Sequence, residues 1–223
     1  MLYLLTDCLK YKLMKNRIIV LLCLFPIALQ AQNPGFAEIK EPKAIMSKIS
    51  ENARTIFAIE SDFVQEKNIS VLSEKIVSKG HLIYKKENKL RWEYKSPFNY
   101  LVILNNGKIF IKDDNKENKF DMQSNKMFQE INALIVNSVQ GNISESKNYK
   151  VKLYQGEEFY LVDMIPLSGA AKEFFSSIQI YFKKSDLNVS KINMVEIAGD
   201  YTLISFAGSV YNREIADEKF SFR

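Results

Sequence analysis

The chain has 223 residues, 47% hydrophobic and 26% charged, with one His, two Cys and eight Gly. That apolar share can bury a core and excludes an intrinsically disordered chain, and the length favours a single domain. Residues 1–31 hold Lys10, Lys12, Lys15 and Arg17 against Asp7, so most of the +5 charge sits there; the rest mixes its signs, which excludes the concentrated basic face of an ordinary nucleic-acid binder.

The chain opens on an export signal. Met14-Lys15-Asn16-Arg17 is a short basic stretch, Ile18 to Leu29 is an apolar run, and Ala28-Leu29-Gln30-Ala31 offers a small residue for cleavage. The run is shorter than the ~20 residues that span a bilayer. Residues 1–31 are therefore expected to be a signal peptide removed after Ala31, with Met14 as the true start, and residues 32–223 to be one exported domain. Cys8 and Cys23 fall in the removed part. Val20-Leu21-Leu22 before Cys23 is too bulky for a lipid-anchoring signal, so the mature chain is read as free of thiols and held by core packing alone.

From Pro42 to about Ile59, the residues Ile45, Ile49, Ala53, Ile56 and Phe57 recur at helical spacing and predict an amphipathic helix. After Ser61 the period becomes two. Ile76 to Lys85 and Leu90 to Lys95 alternate as strands, and Asn105-Asn106-Gly107 between Leu101–Leu104 and Lys108–Ile111 is a hairpin signal. Between Ser124 and Gly141, Met127, Phe128, Ile131, Leu134 and Ile135 share a helical face. Further strands are predicted at Tyr149–Gln155, Phe159–Ile165, Ser177–Phe182, Val189–Ile197 and Tyr201–Tyr211, with a break from Pro166 to Phe175. The succession describes a long antiparallel meander, curved or barrel-like.

Chemistry-bearing motifs are few. His81 is the only histidine and lies on the polar side of its strand, so a His/Cys metal site has no ligands, and neither a metal nor a cofactor is expected. No Gly-x-Ser-x-Gly elbow or phosphate loop occurs. A pair of carboxylates for hydrolysis stays available, although most acids sit beside Lys in turns, as in Lys85-Lys86-Glu87 and Lys112-Asp113-Asp114. The reading is not an enzyme. What remains is apolar surface on Leu82, Tyr84, Leu90, Trp92, Tyr94, Ile178, Ile180 and Phe182, which either fills a core or walls a cavity.

Ser61-Asp62-Phe63-Val64-Gln65-Glu66, Ser78-Lys79-Gly80-His81-Leu82-Ile83-Tyr84-Lys85-Lys86 and Lys89-Leu90-Arg91-Trp92-Glu93-Tyr94 with Ser96-Pro97 follow one another in order. Asn106-Gly107-Lys108 and the ending Lys219-Phe220-Ser221-Phe222 continue the series. Over most of residues 32–223 the succession resembles the LolA family of periplasmic lipoprotein carriers. The resemblance implies an α+β fold, mainly β: a single antiparallel incomplete β-barrel, or half-barrel, closed by an α-helical lid. It also implies a monomer that carries lipoprotein acyl chains from an inner-membrane lipoprotein-releasing transporter to an outer-membrane acceptor, without nucleic acid and without stable membrane insertion.

The same resemblance implies a lipid site lined from the sheet by Phe63, Leu82, Tyr84, Leu90, Trp92, Tyr94 and Ile103, and from the lid by Met127, Phe128, Ile131 and Ile135. Burying a chain of ~16 carbons at ~0.8 kcal/mol per CH₂ is worth roughly 13 kcal/mol, so such a carrier needs no catalytic group. Where the family places an Arg-Pro pair that latches the lid, this chain has Lys86-Glu87, a point charge instead of a planar fork. It also ends at Arg223, without the family's tail and final strand. Another amphiphile, such as a glycolipid or lipid-linked precursor, is the alternative cargo.

Overall fold

The computed structural model describes residues 33–113, 116–121 and 147–222, which leaves the signal segment and the helix expected at 125–139 outside the described residues. In chain order the elements are β1 (Ala37–Glu38), α1 (Lys43–Thr55), β2 (Ala58–Asn68), β3 (Ile76–Lys85), β4 (Lys89–Ser96), β5 (Tyr100–Asn105), β6 (Lys108–Asp113) and β7 (Glu117–Asp121). They continue with β8 (Tyr149–Gln155), β9 (Phe159–Pro166), the short α2 (Ala170–Phe174), β10 (Phe175–Lys183), β11 (Val189–Glu196), β12 (Tyr201–Tyr211) and a 3₁₀ turn at Asp217–Phe220.

The twelve strands form one sheet in the order β1-β8-β9-β10-β11-β12-β2-β3-β4-β5-β6-β7. All pairings are antiparallel, and the sheet stays open between its edge strands β1 and β7. This is the open, barrel-like meander that the alternating pattern predicts. The pairing of β12 with β2 closes the longest loop in sequence, through Phe206 opposite Phe63 and Ile204 opposite Gln65. The Asn105-Asn106-Gly107 signal is a tight hairpin, with Asn106 and Gly107 both at positive φ (51° and 72°) and Asn105 opposite Lys108.

Helix α1 stops sooner than its spacing suggests. Ile56, Phe57 and Ile59 continue the helical period, yet β2 begins at Ala58 and Ile59 pairs with Tyr84 and Tyr211. Pairing on both sides satisfies the backbone there, and β-branched Ile59 suits a strand. The turn is clasped by Asn212, which accepts from the Phe57 N–H (2.7 Å) and donates to the Thr55 carbonyl (3.1 Å).

Two apolar clusters lie on the inner face, the side carrying α1. Met46 and Ile49 of α1 pack on Leu153, Val162, Met164, Ile178, Ile180 and Phe182. Beside them, Ile56 joins Phe63, Leu82, Tyr84, Leu90, Leu104, Ile109 and Ile204. A third cluster lies on the outer face: Ala58, Ile83, Ile103 and Phe110 are covered by Ile215 and the fully buried Phe220 of the C-terminal segment. Lys85 and Lys89 hold that segment down through Asp217 at 2.6 and 2.9 Å, and Lys85 also donates to the Ile215 carbonyl at 2.8 Å.

Candidate functional site

Between α1 and the inner face lies an apolar cavity with about 70 Å³ of internal space. Its roof is Ala53 and Ile56; its walls come from β2 and β3 (Ile59, Ser61, Leu82), Trp92 of β4, Phe182 of β10, the β10–β11 connection and β11 (Leu187, Asn188, Val189, Ile192), and β12 (Phe206, Ser209, Tyr211). Among the described residues, no charged side chain lines it. The polar groups are mostly spent on the protein itself: the Ser61 and Ser209 hydroxyl oxygens are 2.8 Å apart, and Ser61 also lies 3.1 Å from the Ala207 carbonyl. Burial pushes the Tyr211 phenol above its ordinary pKa, as expected for a ring facing an apolar interior.

A bulge in β12 builds one wall. Phe206 pairs with Phe63 and Tyr211 with Ile59, so five steps of β12 oppose four of β2. Gly208 takes φ +62° at this irregularity. The extra residue reverses the facing parity beyond it, so Phe206 and Tyr211, an odd number of residues apart, both line the cavity.

Helix α1 is anchored along its length by Met46 and Ile49 in the inner core, and side chains tie its C-terminal end at the cavity's edge. Asn52 donates to Asn188 Oδ1 (3.0 Å) and to the Leu187 carbonyl (3.4 Å). Lys86 Nζ donates to the Arg54 carbonyl (2.9 Å), one of the carbonyls that a helix leaves open at its C-terminus. Leu187 itself sits at φ +58°, a conformation that a bulky L-residue adopts only under constraint. Its N–H is fixed to the Lys183 carbonyl at 2.8 Å.

Of the residues expected to line a lipid site, Leu82 and Trp92 line this cavity. Phe63, Tyr84 and Leu90 lie in the same inner cluster but are buried behind the wall; Phe63 packs on Trp92 in a tilted contact, with ring centroids 4.6 Å apart. Tyr94 faces a separate open groove with Gln65, Phe98 and Tyr100, and its hydroxyl donates to Gln65 at 2.9 Å. Ile103 is corrected: it pairs with Arg91 and packs on Phe110 and Phe220 on the outer face, while Leu104 and Val102 face inward opposite Leu90 and Trp92. Lys86 holds a helix end, that of α1. Met127, Phe128, Ile131 and Ile135 lie outside the described residues.

Sequence reasoning passed over Leu187, Ser209, Tyr211 and most of the β10–β12 wall, where only the Gly208 break in alternation gave a local signal. The lone histidine is on the outer face, its ring nitrogens 2.7 Å from Asp62 and 3.2 Å from Glu60. Among the described residues no three His, Cys, Asp or Glu side chains are placed to hold a metal ion.

The sequence model of the family described as "Outer membrane lipoprotein carrier protein LolA" matches residues 54–223. The chain is 23% identical over 145 residues to an outer-membrane lipoprotein carrier protein of Chromohalobacter salexigens, a match covering 65% of this chain and 66% of that protein. Among solved structures, it is similar to a LolA superfamily protein from Nitrosomonas europaea, with TM-score 0.43 and 8% identity over 79% of this chain and 97% of that one. It is also similar to a putative outer membrane lipoprotein-sorting protein domain from Vibrio parahaemolyticus, with TM-score 0.44 and 7% identity over 79% and 94% of the two chains.

Proposed function

The chain belongs to the LolA family of outer membrane lipoprotein carrier proteins, and on that premise we propose that the cavity beneath α1 takes the acyl chains of lipoproteins and shields them between the inner and outer membranes. The observation that carries this reading is the lining: among the described residues, fourteen from seven parts of the chain converge without one charged side chain. An acyl chain has nothing to offer but CH₂ groups, each worth ~0.8 kcal/mol when taken out of water. Such a wall binds it without reading its identity.

The space present, about 70 Å³, is too small for a chain of ~16 carbons. Loading therefore requires α1 to lift away from the sheet. At the cavity end that movement breaks a few hydrogen bonds from Asn52, Lys86 and Asn212, while Met46 and Ile49 hold the rest of the helix on the core. Closure of α1 onto the same apolar wall competes with the cargo, which keeps net affinity moderate and lets the cargo be handed on. Residues 1–31 would direct export, an inner-membrane lipoprotein-releasing transporter would supply the cargo, and an outer-membrane acceptor would receive it. Among the described residues no helix is long and apolar enough to cross a membrane.

The test is Ala53→Leu, which adds three carbons from the roof into the cavity. A fluorescent fatty-acid probe should bind at least about tenfold more weakly, with thermal stability unchanged or raised because the space is filled. Unaltered probe affinity would remove the cavity from the reading. Native mass spectrometry of protein from its own periplasm then identifies the cargo: an acylated protein supports the lipoprotein carrier, whereas a glycolipid or lipid-linked precursor assigns the cavity to another amphiphile.

A further inference from the structure

The two ends of the sheet differ in what their loops expose. At one end the turns are polar: Glu87-Asn88, Asn106-Gly107, Glu157-Glu158 and Lys184-Ser185-Asp186. At the other, large apolar side chains stand in solvent on four separate connections. The β2–β3 loop shows Val71 (87% exposed) and Leu72, with Ile76 and Val77 just beyond; the β4–β5 loop shows Phe98 (68%); the β9–β10 connection shows Leu167 and Phe174; and the β11–β12 turn shows Ile197 (63%). Of the large hydrophobics exposed among the described residues, only Phe57 and Val210 lie elsewhere. Scattered exposed apolar residues are ordinary, but eight gathered on one rim are not.

This rim is built. Ser70 donates from both its N–H and its hydroxyl to Asp200 at 2.8 Å, Lys67 pairs with Glu196 at 3.6 Å, and the Ile197 N–H donates to the Phe174 carbonyl at 3.1 Å. These contacts lace the Val71, Ile197 and Phe174 tips together at fixed spacing. Around them Lys79, Lys95, Lys116, Lys147 and Lys172 are exposed with no ion pair among the described residues, while the same rim carries the carboxylates of Glu74, Glu173, Asp200 and Asp113. The balance is slightly cationic, which suits an anionic partner.

We propose that this rim docks reversibly on the surface of an anionic phospholipid bilayer. Apart from Phe98, which borders the open groove beside Tyr94, the apolar side chains stand on separate tips rather than along one groove that a protein ridge could fill. They suit a soft apolar medium, into which each inserts a few ångströms while lysines meet the headgroups. The inference is independent of what the cavity carries.

Purified protein is sedimented with vesicles of equal parts phosphatidylglycerol and phosphatidylethanolamine, or of phosphatidylcholine alone. Binding to the anionic vesicles that weakens with salt, and an about tenfold loss in the triple variant Val71→Ser, Leu72→Ser, Ile197→Ser with fatty-acid probe binding retained, are the expected results. Because the triple variant could misfold, Leu72→Trp supplies a second readout: its added emission should shift to the blue on anionic vesicles and be quenched by brominated lipid. No vesicle binding by the parent protein, undiminished binding by the triple variant, or an unquenched Trp at position 72 overturns the proposal. So does a rim-dependent dimer in light scattering, which would make the occupant a second copy of the chain.

Discussion

On the outer side of β3 and β4 the chain fills its own apolar cluster; on the inner side it leaves room. Outside, Ile83, Ile103 and Phe110 are sealed by Phe220, which is fully buried and pinned through Asp217, Lys85 and Lys89. Inside, Leu82, next to Ile83 on β3, and Trp92 of β4 face a space that α1 roofs without filling. A sheet with apolar residues on both faces needs two covers, and the covers decide function. A tail segment with a full-sized aromatic plug seals its face, whereas a helix anchored by Met46 and Ile49 that presents only the small Ala53 and Ile56 at its far end leaves space beneath it.

The sharpest break of this contrast is Phe220→Ala. Removing a fully buried ring should cost about 3–5 kcal/mol of unfolding free energy. Urea denaturation should show that loss while the fraction still folded binds the fatty-acid probe within about twofold of the parent, because the plug and the cavity lie on opposite faces. A matching loss of probe affinity would mean that the two faces are coupled through the sheet.

Gly80→Ala probes the inner side and should cost less, about 1–3 kcal/mol. A Cβ at Gly80 would run into the Glu93 carbonyl and into the Cζ and Cε1 atoms of the Phe63 ring. Phe63 packs on Trp92 and Trp92 lines the cavity. This variant should therefore lower both stability and probe affinity, where Phe220→Ala lowers stability alone. Probe affinity unchanged by Gly80→Ala would detach the Phe63–Trp92 contact from binding.

The same contrast explains which parts of the molecule were legible in the sequence. Leu90 and Trp92 alternate with the polar Lys89, Arg91 and Glu93, and Leu82 and Tyr84 sit in step with them around the single apolar Ile83, so their common face could be read, and the structure puts all four inside. The run Tyr100-Leu101-Val102-Ile103-Leu104 is apolar at every position because the inner cluster takes Leu104 and the C-terminal plug takes Ile103. Alternation then carries no parity, and only the pairing of Trp92 with Val102 settles it. The helical period through Ile59 failed for a related reason: an apolar residue every third or fourth position fits the helix, but long-range pairing with Tyr84 and Tyr211 claims Ile59 for the sheet. The β10–β12 wall was hidden because its residues converge from strands far apart in sequence, each reading as ordinary core.

The outer face also holds a carboxylate that the inner cavity lacks, and it gives the smallest predicted effect. Asp163 of β9 is buried, and burial pushes its carboxyl above the ordinary pKa, opposed by the Ser177 hydroxyl donating at 2.5 Å and by the charge of Lys152. A raised folded value means that stability contributed by the protonated acid is complete below the unfolded pKa of about 3.9 and is lost as pH rises through the folded value. Asp163→Asn keeps an oxygen for Ser177 and removes the charge. It should melt higher than the parent at pH 7, by no more than about 4 °C, and the two curves should converge near pH 3. Lower melting at both pH values would show that the carboxylate's contacts outweigh its desolvation. Probe binding should not change, since Ser177 and Asp163 line no part of the cavity.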